Sequence, residues 1–175
     1  MENSKKITTE AVFVNASKQV VWDILFHRFG ETYLYNPNVE GSHKTNGRQG
    51  EIGCERECSI DKKTNIKERI VKAEEFKSVT FDIIGGNMPM VKEMQVIMNI
   101  EPVSANQTKV SITAFYTTKP SFMAGFVKGM FKKMLFGVLI GLKYYLETGK
   151  PVTKKSFKSI SAKYKTLLGN QAFAA

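Results

Sequence analysis

The chain has 175 residues, of which 42% are apolar, and this length and composition suit one folded domain rather than a disordered segment. Its formal net charge of +10 allows binding to an anionic membrane surface or to nucleic acid, but no nucleic-acid-binding module is recognisable, so nucleic acid is not expected as a partner. No run of about 18 uncharged apolar residues exists and the first residues are polar, so the sequence predicts neither a transmembrane helix nor a signal peptide, and we expect a cytoplasmic protein.

The first elements predicted in chain order are a strand over residues 7–15 and a short helix after it. Ser17 suits the N-cap of this helix, because apolar residues such as Val21 and Leu25 follow it at helical spacing. A second short helical or turn segment ends near Pro37, since the residue before a proline disfavours the helical conformation.

Strand-like runs separated by turn sequences come next. They lie near residues 39–46, 51–60, 64–74, 78–84, 91–102 and 107–117. Consecutive strands without intervening helices form an antiparallel meander. A long helix over 121–148 follows and ends at Gly149. This order predicts an α+β fold in which a curved antiparallel sheet meets one long helix and leaves a cavity between them.

The segment EIGCERECSI, residues 51–60, alternates between an apolar and an acidic face. The apolar face carries Ile52, Cys54, Arg56, Cys58 and Ile60. If this strand forms a hairpin with 64–74, Glu68 falls nearly opposite Arg56 and neutralises its charge. The pair is then either a polar group in a ligand cavity or a structural ion pair at the sheet edge. A flipped register would instead leave Arg56 in solvent.

The two cysteines, Cys54 and Cys58, have a spacing that could indicate a redox pair or metal ligands. On a strand, however, residues four apart lie about 13 Å from each other. A disulfide needs Cα atoms within about 7 Å, and one zinc ion could not reach both thiolates. We therefore expect two small apolar side chains on the inward face, with no metal site and no cofactor.

Several segments resemble one known family when they are taken together. VNASKQVVWDIL resembles an A-s-x-x-x-V-W-x-x-L opening, and YLYNPNV resembles a following W-x-P-x-V element, with Tyr35 in place of the usual tryptophan. GEIGCERECSI resembles an arginine-containing strand, IKERIVKAEEFKSVTFDIIGG a later strand pair, and GLKYYLETG the end of a closing helix. The family is the START-like, or SRPBCC, helix-grip superfamily, in its polyketide cyclase/dehydrase-like branch. The resemblance covers residues 7–149.

This resemblance implies a helix-grip fold, with a seven-stranded curved antiparallel sheet around a long C-terminal helix and two short helices after the first strand. It also implies that residues 1–149 form a domain that binds a small hydrophobic molecule, such as a lipid or polyketide, in an internal cavity. The residues expected to contact the ligand are Arg56, Glu68, Cys54, Cys58, Ile70, Met94, Met98, Tyr116, Phe126, Met130 and Met134.

The long helix has a broad apolar side that is predicted to face the sheet and that includes Phe126, Met130 and Met134. The charged residues Lys128, Lys132, Lys143 and Glu147 are predicted to mark its outer side, and Phe136, Leu139 and Ile140 lie among them.

The tail over 150–175 could cover these apolar residues. It is basic, and Phe157, Ile160, Tyr164, Leu167 and Leu168 recur in it at helical spacing. This amphipathic helix could pack within its own chain, form a homodimer through the C-terminal helices, or lie on an anionic membrane surface; otherwise the tail is expected to be mostly disordered.

No catalytic constellation is recognisable around the two histidines, His27 and His43. The main functional hypothesis is therefore binding or transport of a small hydrophobic ligand. One alternative is a cyclase or dehydratase that uses Arg56, Glu68 and Tyr116. The other is a peripheral membrane or protein-interaction module that uses the basic tail.

Overall fold

The protein is described by a computed structural model that covers residues 4–88 and 90–172, with side chains described as far as residue 164. The strands are β1 (Lys5–Thr8), β2 (Val12–Val14), β3 (Gly41–Asn46), β4 (Glu55–Ser59), β5 (Asn65–Glu74), β6 (Ser78–Gly86), β7 (Val91–Ser104) and β8 (Gln107–Thr118). The helices are α1 (Lys18–Trp22), α2 (Met123–Thr148) and α3 (Lys154–Ala172), with a π-helical turn over Asp23–His27 and a 3₁₀ segment over Phe29–Leu34.

All the strands belong to one antiparallel sheet with the order β1-β8-β7-β6-β5-β4-β3, and β2 also pairs with β8. This curved sheet and the long helix α2 confirm the predicted α+β helix-grip fold. The strand predicted over 7–15 is divided into β1 and β2. At the break, the Thr9 hydroxyl oxygen accepts a hydrogen bond from the Ile112 amide at 3.0 Å, in place of a backbone carbonyl. The sheet therefore has eight strands in seven positions.

The strand predicted over 51–60 begins only at Glu55, so the prediction that Ile52 lies on the inward face is wrong. Ile52 is 60% exposed. The physical reason is Gly53, whose φ of +93° interrupts the extended alternation and suits glycine alone. Arg56 and Cys58 keep their inward positions and are buried, as predicted.

The short helices after β2 bring a chain segment to the mouth of the sheet. Ser17 caps α1 as predicted, and its side-chain oxygen accepts a hydrogen bond from the Val20 amide at 3.4 Å. Arg28 then holds the following segment in place, because it pairs with Glu31 at 2.6 Å and donates to the Tyr145 hydroxyl of α2 at 3.2 Å. Residues 29–39 are thereby placed beside α2.

The N-terminal half of α2 uses a narrower contact face than the sequence predicts. Val127 and Phe131 are buried, whereas Phe126 is 82% and Met130 52% exposed. The prediction that Phe126 and Met130 face the sheet is therefore wrong. Because successive helical residues are about 100° apart, only one side of this half reaches the sheet, and Phe126 lies on the opposite side.

The C-terminal half of α2 is buried on two sides. Leu139 and Ile140 have almost no exposed surface, because the sheet covers one side and α3 covers the other. Ile160 and Tyr164 of α3 belong to the same apolar core. The tail thus packs on α2 of its own chain as far as residue 164. Leu167 and Leu168 lie outside the described side chains, and dimerisation and a domain boundary at 149 stay predictions.

Lys143 and Glu147 do not mark the outer side of α2, contrary to the prediction. Lys143 is buried, and its amine donates to the Phe13 carbonyl and to Glu147, each at 2.6 Å. The hydroxyl of Tyr164 donates to the other carboxylate oxygen of Glu147 at 3.2 Å. The reason is that β2 and α3 both pack on this side of α2, so two charges that would otherwise be solvated form a largely buried pair.

Candidate functional site

A cavity lies between the sheet, residues 29–39 and α2. Its wall is formed by Arg56, Ile60, Ile66, Glu68, Phe81, Ile83, Met88, Met94, Val96, Met98 and Ile112 from the sheet and its turns, by Met134, Leu135 and Val138 from α2, and by Thr32, Tyr35, Asn36, Asn38 and Val39. Most of these side chains are apolar, and the polar ones gather toward residues 32–38 and the Arg56–Glu68 pair. This combination is typical of pockets that bind small, mainly apolar molecules.

The cavity offers about 80 Å³ to the centres of water-sized molecules. One water needs roughly 10–15 Å³ on this measure, so the space suits several waters or a small organic group. Methionines form much of the wall, namely Met88, Met94, Met98 and Met134. Because methionine is unbranched and flexible, these side chains can move to admit a larger guest.

Arg56 and Glu68 form a buried ion pair at the polar end of the cavity. They are direct cross-strand partners in β4 and β5, which is the register that the sequence predicts. The Arg56 Nε donates to Glu68 Oε2 at 2.5 Å, and Arg56 Nη1 donates to the Phe29 carbonyl at 2.7 Å. The Arg56 side chain is 4% exposed and the Glu68 side chain is 8% exposed. Hydrogen bonds and a matched charge together keep this guanidinium in the interior.

Two aromatic rings complete the surroundings of Arg56. Its guanidinium carbon lies 3.8 Å from the ring centre of Phe29 and 5.0 Å from that of Phe81. Burial favours the uncharged form, but the negative charge of Glu68 outweighs it and raises the pKa of Arg56 above its ordinary value. Arg56 is therefore charged at neutral pH.

One nitrogen of Arg56 and one oxygen of Glu68 remain free to bind a guest. Arg56 Nη2 and Glu68 Oε1 make no hydrogen bond to the described residues. In the described part of the chain, every fully buried side-chain nitrogen or oxygen has a hydrogen-bond partner. Because these two atoms have no such partner, they must retain some accessible surface. Both residues line the cavity, so we expect these two atoms to serve as its polar donor and acceptor.

Both cysteines are free and buried, as the sequence predicts. The Cys58 thiol donates to Glu68 Oε2 at 3.5 Å, and it packs with Val39 and Ile66. Burial, reinforced by the Glu68 charge, raises the pKa of Cys58. Burial also raises the pKa of Cys54. In the described part of the chain, no three His, Cys, Asp or Glu residues are arranged to hold a metal ion.

The structure divides the predicted ligand-contact residues into three sets. Arg56, Glu68, Met94, Met98 and Met134 line the cavity. Cys54, Cys58, Ile70 and Tyr116 are buried on the inward side but lie behind the cavity wall. Phe126 and Met130 are exposed on α2 and do not line it. Tyr116 is held away from the cavity because its hydroxyl donates to the Ala124 carbonyl at 2.6 Å.

The sequence analysis does not identify several residues of the cavity wall. Phe81 and Ile112 recur with a period of two among the inward residues of their strands, so this period could have identified them. Thr32 lies in a short 3₁₀ segment, whose sequence has no regular apolar period to show which side chains point inward.

The fold is that of a helix-grip protein, and a partly open, mainly apolar cavity lies beneath α2. Residues 6–147 match the family described as polyketide cyclase / dehydrase and lipid transport. The chain belongs to this family, within the START-like (SRPBCC) helix-grip superfamily. A comparison of the sequence with curated proteins gave no significant match. Membership of this family supports hydrophobic-ligand binding in general.

Solved structures share the fold at low sequence identity. A solution NMR structure from Thermobifida fusca is 18% identical, with a TM-score of 0.66 over 79% of this chain and 90% of that chain. Ginseng major latex-like protein 151 from Panax ginseng is 15% identical, with a TM-score of 0.63 over 81% and 97%. Ara h 8.0201 is 13% identical, with a TM-score of 0.66 over 83% and 99%. At these identities the likeness establishes the fold alone. No helix in the described part of this chain is long and apolar enough to cross a membrane.

Proposed function

We propose that this protein binds a small, mainly apolar molecule that carries an uncharged polar group, and that it does so in the cavity beneath α2. The observation that carries the proposal is an apolar chamber with one buried, internally neutralised ion pair at its polar end. Apolar walls supply affinity through burial, and the few polar atoms orient the guest.

The ion pair selects an uncharged head group over a carboxylate. Glu68 already balances the Arg56 charge at 2.5 Å, so a second anion would meet the Glu68 carboxylate in a poorly solvated site. A hydroxyl group satisfies both free atoms, because it accepts from Arg56 Nη2 and donates to Glu68 Oε1. A carbonyl group can only accept a hydrogen bond, so it satisfies Arg56 Nη2 and leaves Glu68 Oε1 without a partner.

A cyclase or dehydratase reaction would have to depend on Arg56 and Glu68. The third residue considered for it, Tyr116, donates its hydroxyl to a backbone carbonyl behind the wall. A reaction would lack one of its three groups, whereas binding needs only groups that the cavity presents. Binding without reaction is therefore the function that we favour.

Three naphthalene derivatives test the proposal by their head groups. We expect 2-naphthol to bind at least about tenfold more tightly than 2-naphthoate, which has a similar ring and a negative charge, when binding is followed by fluorescence at neutral pH. Unsubstituted naphthalene should fall between them. Equal or tighter binding of 2-naphthoate would contradict the proposed head-group preference.

Two methionines of α2 supply a matched pair of variants. Met134 lines the cavity, whereas Met130, one turn earlier, is exposed. Met134→Trp should fill the cavity and weaken 2-naphthol binding by about tenfold or more, and Met130→Trp should leave it unchanged. Equal effects of the two substitutions on 2-naphthol binding would mean that the ligand binds outside this cavity.

A further inference from the structure

An exposed apolar stripe runs along the start of α2, and we define it by Phe122, Phe126 and Met130. Phe122, which immediately precedes the helix, is 79% exposed. The three residues are four apart, so they lie next to one another on one side of the helix. A Cβ atom added at Gly125 or Gly129 would meet nothing within 4 Å, so no described part of the chain covers this side. Single exposed apolar residues are ordinary, but three on successive turns mark a surface that binds something.

The stretch of chain that contains the apolar stripe is positively charged. The interval between Glu101 and Glu147 contains six lysines and no acidic residue. Lys109, Lys132 and Lys143 pair with Glu101, Glu10 and Glu147. Lys119, Lys128 and Lys133 are exposed and make no ion pair with the described residues. Lys133 follows Phe126 by seven residues, about two turns, and therefore lies on the same side of the helix as the stripe.

We propose that the apolar stripe docks α2 on the surface of an anionic lipid bilayer. Aromatic and methionine side chains can enter the boundary between head groups and acyl chains, while nearby lysines bind lipid phosphates. This pairing of apolar and basic groups matches a bilayer better than a second copy of the chain. Two copies in contact through the stripe would bring the same unpaired lysines together, and their charges would repel.

Docking in this way would place the cavity close to the lipid. Met134 follows Met130 by one helical turn and lines the cavity wall, so α2 joins the docking surface directly to the chamber. The same geometry separates this surface from the basic tail, whose Ile160 and Tyr164 are already buried against the core. The proposal concerns the outer surface of α2 and does not depend on which guest the cavity binds.

Co-flotation of the full chain with lipid vesicles tests the proposal. We expect binding to vesicles of phosphatidylcholine that contain about a quarter phosphatidylglycerol, little binding to pure phosphatidylcholine, and weaker binding in about 0.5 M NaCl. The double variant Phe122→Ser/Phe126→Ser should lower the partition coefficient by about tenfold or more, and Lys133→Glu should also lower it.

Two control variants make the result specific to the apolar stripe. Ile52→Ser removes an exposed apolar side chain beside β4, toward the other edge of the sheet, and should leave vesicle binding unchanged. Lys155→Glu/Lys158→Glu changes two of the exposed lysines of α3 and should have a smaller effect than the stripe variants. Circular dichroism confirms that each variant is folded.

Three outcomes would overturn the proposal. The first is the absence of binding by the unaltered protein to anionic vesicles. The second is unchanged binding of the double phenylalanine variant, or a dominant effect of the α3 lysines. The third is a dimer, seen by analytical ultracentrifugation, that is lost in the double variant without any vesicle binding, since it would assign the stripe to a protein interface.

Discussion

Arg56 and Glu68 face each other across β4 and β5, with Arg56 Nε 2.5 Å from Glu68 Oε2, and each is held inside the protein by the other. Two further contacts fix the guanidinium, a hydrogen bond to the Phe29 carbonyl and the face of the Phe29 ring. The pair is therefore both a structural element of the sheet and the polar end of the cavity. Mutations here should therefore affect both stability and binding.

Removal of the Glu68 charge should strongly destabilise the protein. Glu68→Gln leaves Arg56 as an uncompensated buried charge, and we expect the free energy of unfolding to fall by about 3–5 kcal/mol. Glu57→Gln is the control, because Glu57 pairs with Lys67 on the outer side of the same two strands, where the Lys67 side chain is 50% exposed. That change should cost less than about 1 kcal/mol. Urea denaturation measures both, and similar losses would mean that Arg56 is solvated.

Two glycines of α2 should respond to alanine in opposite directions. A Cβ atom at Gly141 would overlap the backbone oxygen of Tyr35, so Gly141→Ala should destabilise the protein by about 2–3 kcal/mol. A Cβ atom at Gly125 meets no neighbour, and Gly125→Ala should stabilise the helix by up to about 1 kcal/mol. Thermal unfolding compares the two variants. Tolerance of alanine at 141 would show that α2 does not approach residues 35–37 so closely.

The contact between Tyr164 and Glu147 should make stability depend on pH in alkaline solution. Burial, together with the charge of Glu147, raises the pKa of Tyr164 from 10.0 to about 12. The folded chain thus holds the phenolic proton more tightly than the unfolded chain does. The free energy of unfolding should therefore fall as pH rises from about 10 to about 12, by at most about 1.4 kcal/mol per pH unit from this group.

Tyr164→Phe isolates that contribution. The variant should be less stable than the unaltered protein near neutral pH by about 1 kcal/mol, because the hydrogen bond to Glu147 is lost. The difference should shrink as pH rises above 10. A constant difference from pH 8 to pH 12 would mean that α3 leaves Tyr164 in solvent.

The two thiols should be unreactive in the folded protein. Burial raises the pKa of both Cys54 and Cys58, so little thiolate forms, and neither sulfur is accessible. Ellman's reagent at pH 8 should react with neither thiol in native protein and with both in urea. Rapid reaction of one thiol without denaturant would contradict the burial of β4.

The sequence predicts the regular parts of the site well because local periodicity encodes them. Alternation in β4 and β5 placed Arg56 and Glu68 on one face, and the hairpin between them set the register. The apolar face of the tail predicted an amphipathic helix but left its partner open, and the burial of Ile160 shows that α3 packs on its own chain.

The remaining features depend on long-range packing that no local pattern records. Val127 and Phe126 are equally apolar, and only the extent of the sheet decides that the first is buried and the second exposed. Lys143 is buried between β2 and α3, where its amine contacts the Phe13 carbonyl and the Tyr164 ring, and its own helix does not reveal this. Residues 29–38 reach the cavity through irregular backbone, whose side-chain directions follow from tertiary contacts such as that between Arg28 and Tyr145.

The most direct test of ligand binding in the cavity uses methionine methyl groups as reporters. NMR spectra of protein labelled with ¹³C at the methionine methyls should be recorded during titration with 2-naphthol. We predict large shifts for Met88, Met94, Met98 and Met134, which line the cavity, and small ones for the exposed Met90 and Met130. Shifts confined to Met90 and Met130, with the four wall signals unchanged, would contradict binding beneath α2.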